Sequence, residues 1–128
     1  MQKLLFIMLG GALGSAARYY VSDFVQNKFQ LIFPFGTLAV NVIGSFIIGF
    51  MWGLFDQTML STNMRFLIFT GILGGFTTFS TFAIETFTLL QDGEYKFAIL
   101  SFLGNNVLGI LFAFLGFILF KWIFRLIV

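Results

Sequence analysis

The chain has 128 residues, of which 59% are hydrophobic, 20% aromatic and only 9% charged, with a formal net charge of +2. A soluble domain carries roughly a quarter Asp, Glu, Lys and Arg, so seven basic and five acidic side chains cannot keep a particle of this size in water, and a membrane is its expected solvent. With no His, no Cys and no basic cluster, thiol and imidazole catalysis, disulfides, His/Cys zinc sites and nucleic-acid binding are excluded, which leaves transport, conduction or membrane-embedded structure rather than an enzyme.

Uncharged stretches run over Leu4–Ala17, Phe29–Phe55, Phe66–Ile84 and Phe97–Phe120. A spanning helix needs about 20 apolar residues, so the pattern predicts four transmembrane helices over 4–25, 35–55, 66–90 and 97–120. Period-2 alternation, which a β-barrel would require, is absent. The connections are short, and residues 1–128 read as a single four-helix transmembrane domain.

Helix one carries Gly11, Ser15, Arg18 and Ser22 on one face, with Gly10 and Gly14 beside it. Small residues there allow close helix approach. Gly14-Ser15-Ala16-Ala17 also has the look of a signal-peptide cleavage site, but a Gly-rich span with an embedded Arg fits packing too. Arg18 is either an interfacial anchor or the cation of an anion vestibule. Phe33-Pro34-Phe35-Gly36, with the single proline, forms the turn that starts helix two. Along helix two, Thr37, Asn41 and Ser45 follow i, i+4 spacing.

Helix three is unusual: Gly71-Ile72-Leu73-Gly74-Gly75-Phe76-Thr77-Thr78-Phe79-Ser80-Thr81-Phe82 puts three glycines and four hydroxyls near its centre. Glycine pairs lower helix propensity. An interrupted span brings carbonyls and half-helix dipoles to the bilayer midplane, where ions bind, whereas the same residues in an intact helix serve only packing. Phe79 and Phe82 are i, i+3 and share a face beside this segment. Phenyl edges carry partial positive charge. Glu85 is the sole acidic residue between Asp56 and Asp92, open to roles as proton carrier, hydrogen-bond acceptor or interface residue. On helix four, Ser101, Asn105 and Gly109 repeat the i, i+4 polar stripe, and Asn105, like Asn41, lies ~6 Å short of the middle of its span.

Orientation signals nearly cancel. Lys3, Arg65, Lys121 and Arg125 fall at one end of the four-helix bundle, and Arg18, Lys28 and Lys96 at the other. Four against three gives the positive-inside rule almost nothing to act on, so the chain inserts weakly oriented, or inserts both ways and works as an antiparallel pair. An inverted copy would supply the other half of a track lined by neutral donors and phenyl rings. Such a track replaces an anion's hydration without holding it tightly.

Three stretches carry a resemblance: Gly10 through Tyr19, Gly36 through Asn41 with Gly44, and Gly74 through Phe82. Together they resemble the Fluc (CrcB-type) fluoride channels, and the likeness covers all four spans. It implies an antiparallel, dual-topology homodimer in the bacterial inner membrane, a third helix broken at the membrane centre, two fluoride pores and passive efflux that lowers cytoplasmic fluoride. It further implies a structural sodium ion at the dimer centre, held by the backbone carbonyls of Gly74 and Thr77 of both copies. Phe79 and Phe82 become the fluoride-facing rings, Asn41 a pore hydrogen-bond donor, Thr81 a nearby hydroxyl and Arg18 a vestibule cation. On helix four the family carries a Tyr then a Ser, where Ser101 and Asn105 stand here. The alternative of another class is a proton-coupled small multidrug-type antiporter, whose acidic residue in the first helix has no counterpart except Asp23 near its end. A non-transporting membrane interaction protein would use the same polar residues for packing alone.

Overall fold

Four helices long and apolar enough to cross a membrane make up the described residues, 1–58 and 60–127, of a computed structural model. Helix α1 covers Gln2–Phe29 and α2 covers Phe35–Gln57. The third span, Thr62–Gln91, consists of α3 (62–76) and α4 (Phe79–Gln91), and the fourth, α5, covers Tyr95–Ile127. The protein is therefore an all-helical, multi-pass membrane protein.

Each helix overruns the boundaries expected from the sequence: 2–29 rather than 4–25, and 95–127 rather than 97–120. Charged residues such as Lys28, Lys121 and Arg125 mark where hydrocarbon ends, not where helix ends. Helical backbone bonds are internal and survive in the headgroup zone, where a long cationic side chain reaches water. The apolar surface is turned outward, with Leu9, Leu13, Ile110, Phe114 and Ile118 all exposed on the chain. Such a surface needs lipid or a partner.

The turns are built locally. Between α1 and α2 the Gln26 amide donates to the carbonyls of Leu31 (2.8 Å) and Phe33 (3.2 Å) and accepts from the Gly36 N–H (3.1 Å). Pro34 sits at the N-cap of α2, one position before the first helical residue. Helix α4 ends in a left-handed Gly93 (φ 78°), which lets Glu94 N–H reach the Leu89 carbonyl at 2.8 Å and Gly93 N–H the Leu90 carbonyl at 3.3 Å. That pair of bonds is the Schellman closure that glycine at this position permits.

Helix contacts run through glycine. A Cβ on Gly10 or Gly14 would strike the backbone of α3, and one on Gly75 the backbone of α1. Between α2 and α5, Gly49 faces the Ala113 carbonyl and Gly116 faces the Phe46 carbonyl. Lipid offers no hydrophobic drive for helices to associate, so association depends on close van der Waals approach of this kind. The most enclosed residues are small: Val40, Ser101, Thr37 and Ala98.

Two stretches depart from α geometry. Residues Phe66–Leu73 in α3 and Gly104–Leu108 in α5 adopt wide π turns. Spacing arguments based on 3.6 residues per turn shift by a residue across such a turn.

Candidate functional site

Helical dihedrals are interrupted between α3 and α4. Thr77 (φ −77°, ψ 157°) and Thr78 (φ −149°, ψ 118°) are both extended. Thr78 then caps α4, its hydroxyl accepting from the Thr81 N–H at 3.2 Å and donating to the Thr81 hydroxyl at 3.0 Å. An extended residue whose side chain accepts from the N–H three residues on is the ordinary N-cap arrangement. Thr77 closes the other side by donating its hydroxyl to the Leu73 carbonyl at 3.0 Å.

Asn41 of α2 reaches across to this interruption. Its Oδ1 accepts the Thr78 N–H at 2.8 Å, and its Nδ2 donates to the Thr78 carbonyl at 3.0 Å. The same Nδ2 donates to Oδ1 of Asn105 at 2.7 Å, and Asn105 Nδ2 donates to the Ser101 carbonyl at 3.0 Å. The π turn at Gly104–Leu108 is what carries Asn105. Widened turns of this kind recur at functional sites.

A cleft of about 260 Å³ opens here, lined by Asn41, Ser45, Thr77, Thr78, Phe79, Phe82, Asn105 and Asn106 among others. Not one of its lining side chains is ionisable. Phe79 and Phe82 meet edge to face with centroids 5.4 Å apart. Phe82 is packed inside (5% exposed), whereas Phe79 stands on the surface of the chain (75% exposed). The arrangement offers amide and hydroxyl donors with aromatic edges in an uncharged wall, a chemistry suited to a small dehydrated anion.

The structure thus gathers Asn41, Phe79, Phe82, Asn105 and Thr77 around one cleft. Thr81 lies behind it, bonded to Thr78. Ser101 does not line it: its hydroxyl is fully buried and shares a 3.0 Å hydrogen bond with Thr86 between α4 and α5. Arg18 lies at the interruption, Nη1 donating to the Thr77 carbonyl at 3.5 Å. Glu85 is elsewhere, in a separate cavity of about 380 Å³ with Thr37, Gln26 and Ser22, where its Oε2 is buried and meets no donor among the described residues. Thr86 and the Asn41–Thr78 pairing are absent from the polar stripes of the sequence.

The oxygen donors expected to hold sodium can be tested against this geometry. Donation of the Thr78 N–H to Asn41 removes the partner that an α-helix gives the Gly74 carbonyl, and Gly74 is exposed. Neutral carbonyls released from a helix are the donor type that transporters use for sodium. The Gly74 carbonyl fits in kind, whereas the Thr77 carbonyl already accepts from the Arg18 guanidinium at 3.5 Å and would have to exchange it for the ion.

Comparison with known proteins gives a consistent result. The family described as "CrcB-like protein, Camphor Resistance (CrcB)" matches residues 5–117. A protein of Parabacteroides distasonis named "Fluoride-specific ion channel FluC" is 50% identical over 99% of both chains. Proteins of the same name from Aquifex aeolicus (50% identical, 88% of this chain and 92% of the relative) and Nitrosococcus oceani (45%, 91% and 94%) align almost as fully.

Proposed function

Because this chain belongs to the CrcB-like family, we propose that it is a fluoride-selective channel through which fluoride leaves the cytoplasm passively. What carries the reading is 45–50% identity, over 88% or more of this chain, to proteins named as fluoride-specific ion channels. The uncharged cleft supports it, since conduction needs binding strong enough to admit an ion and weak enough to release it. The antiporter alternative gains no support from the family or from these relatives.

In this reading Phe79 and Phe82 present ring edges to fluoride, with Asn41, Asn105 and Thr81 in or behind the wall. Ser101 acts through its carbonyl, which holds Asn105. Arg18 serves the vestibule, drawing anions toward the cleft. The working unit is an antiparallel homodimer in the bacterial inner membrane, in which Thr77 and Thr78 mark the break of the third span at the bilayer centre. The near balance of basic residues at the two ends supports it, as does the exposure of Phe79 and Gly74 on the single chain. Gly74 and Thr77 carbonyls of both copies would hold the sodium ion, which supplies a fixed positive charge and ties the two interruptions together.

The test is efflux from proteoliposomes loaded with fluoride and read with a fluoride electrode, with chloride in parallel. Fluoride release without a proton gradient, and retention of chloride, is the expected outcome. Drug-cation uptake driven by a pH gradient, with no fluoride release, would replace the channel by the antiporter.

A further inference from the structure

We infer that Asn106, on helix α5, gives the cleft a further amide donor for the conducted anion, beside Asn105. The inference deepens the channel reading and rests on it. Asn106 lies outside the i, i+4 stripe of Ser101, Asn105 and Gly109, so a uniform helix would turn it about 100° away from Asn105. The π turn over Gly104–Leu108 lessens that angle, because a wider turn holds more residues and rotates less at each one. Both asparagines line the same cleft, with Thr78, Phe79 and Phe82.

The orientation of the Asn106 amide follows from its partner. A carbonyl only accepts, so the 2.7 Å bond to the Phe102 carbonyl comes from Nδ2. That bond anchors the side chain and uses one of the two amide hydrogens. Among the described residues the other hydrogen meets no acceptor. Asn105 is placed alike: its Nδ2 gives one hydrogen to the Ser101 carbonyl at 3.0 Å and keeps the second. Helix α5 thus brings two anchored amides, each with an N–H left to give, to a wall that carries no ionisable side chain. Within hydrocarbon an unmet donor is costly, and an anion that has shed its water is an acceptor for both. Hydrogen bonds to a charged acceptor are roughly twice as strong as neutral ones. A further donor therefore offsets dehydration without adding a fixed charge that would hold the ion too tightly to leave.

Titration of the full-length protein with sodium fluoride, followed through the side-chain amide signals by NMR with sodium chloride as control, tests the assignment directly. The Nδ2 protons of Asn106 are expected to shift with fluoride and not with chloride, and the absence of a fluoride shift would overturn the proposal. In proteoliposomes Asn106→Leu, close in size and without a donor, is expected to lower fluoride efflux about tenfold, the scale of one hydrogen bond to a charged group, with the melting temperature unchanged. Wild-type efflux from this variant would overturn the proposal. So would a loss that merely follows dissociation of the proposed pair, which would make Asn106 a packing residue between helices. Asn106→Asp puts an oxygen in place of the N–H and is expected to pass less fluoride than Asn106→Leu; a higher efflux would overturn donation at this position. A wild-type protein that releases no fluoride would defeat the channel reading, and the titration then decides alone whether the Asn106 amide meets the anion.

Discussion

Phe79 and Phe82 show how differently two residues on one face can be used. Phe82 is packed between α4 and α5, 6.5 Å from the Phe102 ring, while Phe79 faces outward. Truncating Phe82 opens a cavity and should cost the fold about 3 kcal/mol. Phe79→Ala should leave the melting temperature of the chain almost unchanged yet lower fluoride efflux by about fivefold, since a ring edge contributes on the order of 1 kcal/mol. Ser101 is the opposite case. Ser101→Ala strands the Thr86 hydroxyl and should destabilise by ~1 kcal/mol in thermal unfolding. Efflux should persist, because the Ser101 carbonyl that holds Asn105 is untouched. Asn41, Asn105 and the two rings were legible from their stripes and spacing. The inward turn of Ser101 was not, because Thr86 belongs to no stripe and only the α4–α5 contact brings the two hydroxyls together.

At the scale of elements, charge placement locates the spans because it records where hydrocarbon stops, and it does so without regard to the helix termini beyond. Lys28 and Arg125 are helical residues at the rim, which is why the first and fourth helices proved longer than their uncharged stretches. The π turns at Phe66–Leu73 and Gly104–Leu108 left no trace in a periodicity argument that assumes uniform turns. The packing glycines were visible as a group, yet their partners were not, and the partners decide the cost of change. A methyl at Gly14 would drive into the Ile72 carbonyl of α3, whereas one at Gly11 meets open space within the chain. Gly14→Ala should therefore destabilise the fold by about 2 kcal/mol, seen as a lower melting temperature in detergent. Gly11→Ala should leave the single chain as stable as before, so if the proposed pair forms, any loss should appear in its dissociation rather than in unfolding.

For the whole molecule, the argument turns on charge. The end formed by the start of α1, the α2–α3 connection and the end of α5 holds Lys3, Arg65, Lys121 and Arg125 against Asp56, and the opposite end holds Arg18, Lys28 and Lys96 against Asp23, Asp92 and Glu94. Orientation is set by Lys and Arg, with acidic residues contributing little, so the relevant balance is 4 against 3. If a chain so poised inserts both ways, as proposed, a small addition should decide it. The double variant Asp92→Lys and Glu94→Lys raises the second end from three basic residues to five in a connection only three residues long, Asp92 to Glu94. Most copies should then face one way. A cysteine introduced at Gln2 reports this cleanly, since the chain has no other thiol. In the parent background about half of the copies should react with an impermeant maleimide from outside the cell, the expectation for balanced flanking charge, and in the double variant nearly all should be labelled. If the antiparallel pair is the working unit, the oriented variant alone should lose fluoride efflux, and co-expression with a copy biased the opposite way should restore it. Undiminished efflux from a population facing one way would show that a parallel assembly, or a single chain, is sufficient.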